Sequence, residues 1–307
     1  GVAFAASVAA YEAGHIHRHE LTRPDKENDR VRNIESLNAQ TGPGMLAYKA
    51  DVSVDALLDE ASSMPPLLEA KGQHDVMHTI WRVNDEQRIA ALTQAINSLG
   101  DLYIADGHHR SAAAARVAAA RTAAAPSGDA RHDYFLSVAF PDEQMQIFDY
   151  NRVVHDLNGL TPEGLLAAIG QAFDIEAAAQ RARPRSSGEF GMYLDGDWYR
   201  LRARENPAAD DPVARLDVSR LQDSLLAPIL GVGDPRTDER IAFVGGVRGL
   251  EELERRVDDG RSAIAFALYP TSIRELMAVA DAGLLMPPKS TWFEPKLADG
   301  LLSHVLD

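Results

Sequence analysis

Apolar positions in the first half of the chain follow two patterns, one typical of buried strands and one typical of helices. Residues 2–8 and 102–105 are short apolar runs, which favour strands. Residues 86–99 and 111–125 carry apolar or Ala-rich positions at helical spacing, and Pro126 ends the second stretch. Further strands are predicted at 15–21, 45–48, 74–83, 134–140 and 145–150, and further helices at 24–41 and 54–61.

Turn-forming residues between these runs predict two hairpins. Residues 2–8 and 15–21 are expected to pair across a turn that ends at Gly14. Residues 134–140 and 145–150 are expected to pair in the same way. The first half is therefore expected to fold around a sheet.

The second half is predicted to alternate between helices and strands. It begins with a helix at 162–173, capped by Thr161, and a hairpin with its turn at 195–196. Beyond these, helices are predicted at 219–230, 250–257 and 272–282, and strands at 241–244 and 263–268. The whole pattern predicts an α/β (α+β) fold with one domain over residues 1–155 and a smaller α/β domain over 156–307.

The amino-acid composition limits the kinds of molecule that the protein is expected to bind. The chain has 307 residues, 45% of them hydrophobic, which is enough for a substantial core. Its 31 basic and 46 acidic side chains give a formal net charge of −15, which argues against binding to nucleic acid or to an anionic membrane. An anionic ligand therefore requires a local positive site.

The cellular compartment is inferred from the cysteine content and from the length of the apolar stretches. The chain has no cysteine, which excludes disulfides and thiolate metal centres and is compatible with a cytoplasmic protein. No stretch approaches the ~20 apolar residues that a membrane-spanning helix needs. Because Gly1 lies inside a strand-like run, we expect that a further N-terminal portion precedes it.

The candidate chemistry centres on the run Asp-Gly-His-His-Arg at 106–110, between a predicted strand and a predicted helix. The free backbone N–H groups and the dipole at a helix start favour an anion such as phosphate. Gly107 permits close approach of the backbone, Arg110 offers a bidentate guanidinium, and Ser111 a hydroxyl donor. Asp106 is a candidate to bind a cation or accept a proton; the alternative is that it only caps the helix.

Histidines and one glutamate supply further candidates. His108 and His109 are adjacent rather than four residues apart, so proton transfer or phosphate binding is favoured over joint metal binding. His15, His17 and His19 would share one face of a strand, either as a zinc site or as a solvated surface.

Glu20 has two interpretations. It is a candidate general base if burial raises its pKa. The alternative is an ion pair with the basic residues of the following helix, which include Arg30.

A Pro-rich segment at 286–296 combines lysines, hydroxyl groups and aromatic residues. It is expected to form an ordered loop over the site, with Lys289 as a phosphate ligand. The alternative is a tail held to the core by Trp292 and Phe293.

Three separated runs together resemble the bacterial and archaeal family called "domain of unknown function 1015". They are residues 19–22 with the later 26–30, residues 103–110, and residues 286–296. The resemblance covers essentially the whole chain, and family members usually carry an additional N-terminal portion. The family name implies no reaction.

The Asp-Gly-His-His-Arg run is also similar to the phosphate-binding signature of the ParB/sulfiredoxin-like superfamily, which includes free-serine kinases. This similarity implies a ParB/sulfiredoxin-like domain over residues 1–155. By motif, Glu20 would be the base, and Asp106, His108, His109 and Arg110 would hold phosphate and take part in transfer. The long separation between Glu20 and Asp106, and the C-terminal half, depart from a minimal kinase of that type.

The resulting hypothesis is a nucleotide-dependent phosphotransferase, such as a small-molecule kinase for free serine or another hydroxylated metabolite. Its cofactor would be Mg²⁺ with ADP or ATP, the metal bound by Asp106, and a homodimer is compatible with it. Two alternatives stay open: a nucleotide-binding switch or NTPase without a metabolite acceptor, and a His/Asp metal-dependent hydrolase. The expected nucleotide- and phosphate-binding residues are Gly107, Arg110, Ser111, Arg30, Lys289, Ser290 and Thr291.

Overall fold

The computed structural model describes residues 1–72, 75–124, 130–205, 207–208, 210–294 and 296–307. The chain divides into two compact units, one formed by Gly1–Met145 with Pro295–Asp307 and the other by Gln146–Glu294. Residue 155, the expected boundary, thus falls inside the second unit, and the last residues of the chain belong to the first unit.

The elements are numbered in chain order. The helices are α1 (Val8–Glu12), α2 (Pro24–Leu37), α3 (Val52–Ser62), α4 (Glu86–Asn97), α5 (His108–Ala124), α6 (Pro162–Ile169), α7 (Asp217–Leu221), α8 (Glu251–Asp258) and α9 (Ile273–Asp281). The strands are β1 (Val2–Ser7), β2 (Ile16–His17), β3 (Ala39–Gln40), β4 (Gly44–Tyr48), β5 (Leu68–Lys71), β6 (Met77–Ile80), β7 (Leu102–Asp106), β8 (Tyr134–Pro141), β9 (Ile147–Phe148), β10 (Tyr150–Val154), β11 (Phe173–Ala178), β12 (Glu189–Leu194), β13 (Asp197–Ala203), β14 (Ile241–Gly245), β15 (Ile264–Ala267), β16 (Trp292–Phe293) and β17 (His304–Val305).

The first unit is built on a mixed sheet with the strand order β1-β8-β4-β7-β2. The predicted pairing of residues 2–8 with 15–21 is wrong, because β1 pairs with β8 and the short β2 pairs in parallel with β7. Residues expected to form the turn instead form α1, which Ser7 caps by accepting a hydrogen bond from the backbone N–H of Ala10. Strands β8, β4 and β7 lie between β1 and β2 in the sheet, so the two predicted strands do not form a hairpin.

The second predicted hairpin is also wrong. Strand β8 lies between β1 and β4, while β9 pairs with β16, and β10 lies between β14 and β15. The two predicted strands therefore belong to different units. Local turn signals cannot reveal this, because these partners are distant in the sequence.

The core of the first unit lies between the mixed sheet and its helices. Helix α5 places small alanines against the sheet, and on another side Ala113 and Val117 form a cluster with Ile34 of α2 and Leu306 of the C-terminal segment. Helix α2 ends earlier than the predicted residue 41, because Asn38 adopts a left-handed conformation with φ of 50°. The main cluster of buried apolar residues is Ala6, Val8, Tyr11, Ile16, Leu46, Tyr48, Val54, Leu102, Ile104, Ala114, Ala115, Ala118, Phe135 and Ala139.

The second unit contains a sheet with the order β11-β13-β12-β15-β10-β14, in which every pairing is antiparallel. The predicted hairpin at 195–196 is confirmed: β12 and β13 pair, and Asp195 and Gly196 have positive φ of 51° and 89°. The predicted helix at 219–230 is shorter, because α7 gives way to a π-helical turn at Gln222–Leu226.

The mixed α/β class predicted from the sequence is confirmed. Two expected elements extend beyond the described residues: the strand at 74–83, which corresponds to β6, includes residue 74, and the helix at 111–125, which corresponds to α5, includes residue 125. Over the part of the chain that the structure describes, every helix is too short or too polar to cross a bilayer.

A buried carboxyl in the second unit gives a testable pH effect. Asp217 accepts hydrogen bonds from the Gly188 backbone N–H at 2.8 Å and the Ser187 hydroxyl at 2.9 Å, and lies 3.5 Å from the Arg220 guanidinium. Burial raises its pKa to about 6 in spite of these partners. The folded state therefore favours the protonated form, and stability is lost as the pH rises from the unfolded pKa through the folded one.

We expect Asp217→Asn to reduce this pH dependence. Between about pH 5 and about pH 8, the variant should lose roughly 1 kcal/mol less unfolding free energy than the wild type. Denaturant titrations at both pH values measure the difference, with the exposed Asp197→Asn as control. Identical pH profiles for the wild type and Asp217→Asn would contradict the assignment.

Candidate functional site

The candidate site begins where strand β7 runs into helix α5. Asp106 is the last residue of the strand, and Gly107 connects it to His108 with a φ of +102°. The helix starts at His108, three residues before the predicted start. Because His108, His109 and Arg110 begin the helix, no helical carbonyl lies four residues before their backbone N–H groups, which makes these groups candidate donors for a ligand. The Ser111 N–H, by contrast, donates to the Gly107 carbonyl at 2.9 Å.

The periodicity of α5 separates the neighbouring side chains of the motif. His108 and Ser111 are buried with Ala115 and Ala118 on the face that packs into the unit. His109 and Arg110 line a cavity instead. The two histidines thus point into different surroundings, as expected for adjacent helical positions.

The cavity has a volume of about 370 Å³, within the usual range for small-molecule sites. Its walls come from α2, the segment 40–44, the β7–α5 turn, β8 and the C-terminal segment. The lining residues are Arg30, Asn33, Ile34, Gln40, Thr41, Gly42, Gly44, Asp106, Gly107, His109, Arg110, Phe135, Leu136 and Asp299. Of the predicted phosphate ligands, the structure brings Arg30, Gly107 and Arg110 together here.

The Arg110 guanidinium lies between two carboxylates. Its guanidinium lies 2.8 Å from Asp106 and 3.5 Å from Asp299, and Asp106 also accepts a hydrogen bond from Lys296 at 3.4 Å. The Arg110 and Asp106 side chains are 26% and 36% exposed, so each such pair stabilises the fold by only about 0–1 kcal/mol. A phosphate that binds Arg110 therefore needs to replace only these weak ion pairs.

His109 has a defined tautomer in this arrangement. Its Nε2 accepts a hydrogen bond from the backbone N–H of Arg23 at 3.0 Å, so a neutral ring carries its hydrogen on Nδ1. Burial lowers the pKa of His109, partly opposed by the carboxylates of Glu27 and Asp25. The neutral ring is therefore favoured near pH 7, and it links the cavity to the start of α2.

Glu20 lies beside His19 and His108 rather than on the cavity wall. One ligand atom from each of the three side chains lies within 4.8 Å of the others. The two imidazole rings meet edge to face with centroids 4.4 Å apart. Burial lowers the pKa of His19 to about 4, and burial lowers the pKa of His108 well below its ordinary value. Both rings are neutral at pH 7.

The Ser111 hydroxyl is fully buried and lies outside the cavity lining, since it occupies the inner face of α5, so binding of phosphate by Ser111 stays a prediction. One expectation needs correction. The three histidines predicted on one strand face are separated: His15 and His17 each lie 3.2 Å from Asp101, whereas His19 is buried against His108. Strand β2 covers only residues 16–17, so strand alternation does not extend to His19.

The C-terminal loop residues belong to the second unit. Lys289 has a positive φ of 59°, and its ammonium lies 5.9 Å from the centre of the Tyr150 ring. The Ser290 hydroxyl donates to the Pro287 carbonyl at 2.6 Å, inside the loop. Thr291 is half-buried. Binding of phosphate by these three residues stays a prediction.

Some cavity residues were not identified from the sequence. Asn33 lies one helical turn after Arg30 on α2, so helical spacing from Arg30 is a signal that points to it. Gln40 is fixed by hydrogen bonds with the backbone of Tyr134 and Leu136. Asp299 comes from the C-terminal segment, and no local pattern relates it to Arg110.

Gly107 provides a direct test of the turn. A Cβ there would lie 3.0 Å from Arg110 Nε and 3.2 Å from Gly44 Cα, and the positive φ adds strain. We expect Gly107→Ala to cost about 1–3 kcal/mol of unfolding free energy and to weaken phosphate binding by displacing Arg110. Denaturant titration and calorimetry with inorganic phosphate measure both effects.

Gly14→Ala is the matched control. Gly14 also has a positive φ, of +87°, but nothing lies within 4 Å of its added Cβ. This variant should lose stability and keep its phosphate affinity. An unchanged phosphate affinity in Gly107→Ala would show that the turn does not position the ligand.

Comparison with protein families gives one match over most of the chain. The family model described as "Protein of unknown function (DUF1015)" matches residues 1–219. A search of curated proteins finds no match.

Three differently named proteins are among the solved structures that match this chain. A free serine kinase mutant in complex with AMP is 11% identical, with 95% of this chain and 86% of that chain covered and a TM-score of 0.44. SbnI with a C-terminal truncation from Staphylococcus aureus is 12% identical, with coverages of 97% and 85% and a TM-score of 0.47. A conserved hypothetical protein from Pyrococcus furiosus is 14% identical, with coverages of 97% and 92% and a TM-score of 0.41.

Proposed function

Since the chain belongs to the DUF1015 family, whose description assigns no reaction, we propose from its site that it is a nucleotide-dependent phosphotransferase acting on a small hydroxylated metabolite. The choice of a nucleotide as donor follows from the similarity of the 106–110 motif to that of free-serine kinases. Free serine is one candidate acceptor within the proposed class. The cavity beside Arg110 is the proposed binding site.

The observation that carries the proposal is the cluster of phosphate-binding groups in one cavity. Arg30 and Arg110 line it together with Gly107 and His109 at the start of α5, in a molecule with a formal charge of −15. A guanidinium with helix-start amides is well suited to phosphate, because both donate hydrogen bonds to anionic oxygens. An overall negative chain would otherwise repel such a ligand.

The donor set also fits Mg²⁺. This ion prefers carboxylate and phosphate oxygens, and the carboxylates of Asp106 and Asp299 both line the cavity. These two residues would hold the ion. When bound, Mg²⁺ would neutralise charge on the phosphates of the nucleotide.

In the proposed reaction, Arg30 and Arg110 orient the terminal phosphate of the nucleotide. A bond forms between that phosphorus and the acceptor oxygen, while the bond from phosphorus to the bridging oxygen of the nucleotide breaks. Glu20 takes the proton of the acceptor hydroxyl, and the shortened nucleotide leaves with the bonding electron pair. Positioning and charge stabilisation would provide most of the rate acceleration.

The direct test combines binding and turnover in the wild-type protein. Thermal unfolding with ADP or ATP and Mg²⁺ should show a higher Tm than without nucleotide. Phosphorus NMR of the same mixture with free serine and other hydroxylated metabolites should show a new phosphomonoester signal. The absence of a Tm shift with every nucleotide would count decisively against the proposal.

One observation favours a second candidate, a nucleotide-binding switch without an acceptor. Glu20, the proposed base, lies beside His19 and His108 and is not part of the cavity lining. A nucleotide could then bind without a base next to its terminal phosphate. Tm shifts without any new phosphorus signal, whatever metabolite is added, would support this candidate over the kinase.

A further inference from the structure

The cluster of His19, Glu20 and His108 has the composition of a metal site. Two imidazoles and one carboxylate place one ligand atom each within 4.8 Å of one another. Three protein ligands of this type with an open fourth position are typical of zinc sites that bind water or substrate. Elsewhere among the described residues, no other three His, Asp or Glu side chains converge in this way.

A second observation points to a missing ligand. His19 is only 2% exposed, and its buried Nδ1 has no partner in hydrogen-bonding geometry, although the Ile104 backbone carbonyl is near enough to the ring to raise its pKa slightly against the effect of burial. Buried polar side-chain atoms are nearly always hydrogen-bonded, so an unpartnered buried nitrogen needs an explanation. A metal ion bound at this nitrogen would provide the missing partner.

The local charge is compatible with a cation. Glu20 supplies one negative charge, and the Asp106 carboxylate is close enough to act electrostatically on His19. Both histidines are buried, which shields an ion from water on their side. Nitrogen ligands also select the class of ion, because Mg²⁺ prefers oxygen ligands, whereas Zn²⁺ and similar transition metals bind imidazole well.

We propose that His19, Glu20 and His108 form a binding site for a divalent transition metal ion, with Zn²⁺ as the best match. This site differs from the proposed Mg²⁺ site, whose carboxylates line the cavity. The inference goes beyond the proposed function and shares only Glu20 with it. A metal bound to the Glu20 carboxylate would withdraw it from proton transfer, so Zn²⁺ would inhibit a reaction that needs this base.

The test measures Zn²⁺ binding to the full chain without nucleotide, after removal of bound metals with a chelator. Titration calorimetry of the wild type should show one ion per chain. His19→Ala and His108→Ala should each weaken binding by at least about 100-fold, the upper end of the loss seen when only a supporting residue is removed. Circular dichroism verifies that each variant is folded.

His15→Ala is the control for adventitious binding. His15 is exposed and paired with Asp101, so its loss should leave Zn²⁺ affinity unchanged. A wild type that does not bind Zn²⁺, or His19→Ala and His108→Ala variants that bind as tightly as the wild type, would overturn the proposal.

Visible absorption of bound Co²⁺ tests the site even if His19→Ala and His108→Ala fail to fold, because it uses the wild type and a variant of similar size. Co²⁺ added to the wild type should give the intense visible absorption of a four-coordinate site, and Glu20→Gln, which keeps the size of the side chain, should reduce it. A wild-type spectrum identical to that of Co²⁺ in buffer would also overturn the proposal. Arg110→Ala should keep Zn²⁺ binding, so failure of the nucleotide site and failure of the metal site are distinguishable.

Discussion

Replacement of Arg110 by alanine should strongly reduce the stabilisation of this protein by nucleotide. Arg110 lines the cavity from the first turn of α5 and offers a guanidinium that can bind phosphate with two hydrogen bonds. Loss of a charge-assisted hydrogen-bond pair typically costs about 1.5–3 kcal/mol, which corresponds to roughly a 10–100-fold weaker affinity. The carboxylates of Asp106 and Asp299 lose a cationic partner at the same time, so their repulsion of phosphate adds to the effect.

Calorimetric titration with ADP and Mg²⁺ measures the loss, and Tm shifts provide an independent check. Arg116→Ala is the matched control, because Arg116 lies on the same helix but pairs with Glu27 and Asn28 and does not line the cavity. Arg110→Lys should have an intermediate affinity, since it keeps the charge and loses the planar fork. If Arg110→Ala binds nucleotide as well as Arg116→Ala does, the cavity is not the nucleotide site.

The second large effect concerns turnover. Glu20→Gln should reduce the rate of phosphoryl transfer by about 10²–10⁴-fold, the usual contribution of a general base. Nucleotide affinity should stay within a factor of about two, because Glu20 does not line the cavity. A lower rate of phosphoryl transfer with unchanged nucleotide affinity would show that Glu20 acts in proton transfer and not in nucleotide binding.

The assay follows phosphorus NMR signals over time with Mg²⁺ as the added divalent cation. Glu12→Gln, an exposed position at the end of α1, controls for the loss of one negative charge. Equal rates for Glu20→Gln and the wild type would remove Glu20 from the reaction. Weaker nucleotide binding in Glu20→Gln would instead assign it a role in ligand binding.

The strand-turn-helix at the site was predictable because its signals are local. An apolar run, an Asp-Gly pair and an Ala-rich stretch specify β7, the turn at Gly107 and α5 within a short segment. The predicted helix start at Ser111 was three residues late. Starting the helix at His108 would have placed His108, Ser111, Ala115 and Ala118 on one face, and so would have predicted that the Ser111 hydroxyl is buried.

The wrong hairpins show where sequence patterns stop being sufficient. Period-2 alternation and turn residues indicate that a strand exists, but not which strand pairs with it. Strand β8 pairs with β1 and β4, whose residues lie far away in the sequence. Pairing of this kind is decided by burial of the whole sheet, which no short window of sequence contains.

By itself, the sequence determined the mixed α/β class and the strand-turn-helix at residues 106–110, and its acidic charge implied that any anionic ligand requires a local positive site. Only the tertiary structure decided which residues surround that turn. It brought Arg30 and Asp299 to Arg110, and it separated His109 on the cavity wall from His108 beside His19 and Glu20. The physical reason is that helix starts and turns arise from interactions between neighbouring residues, whereas a cavity is formed by side chains that packing brings together from distant parts of the chain.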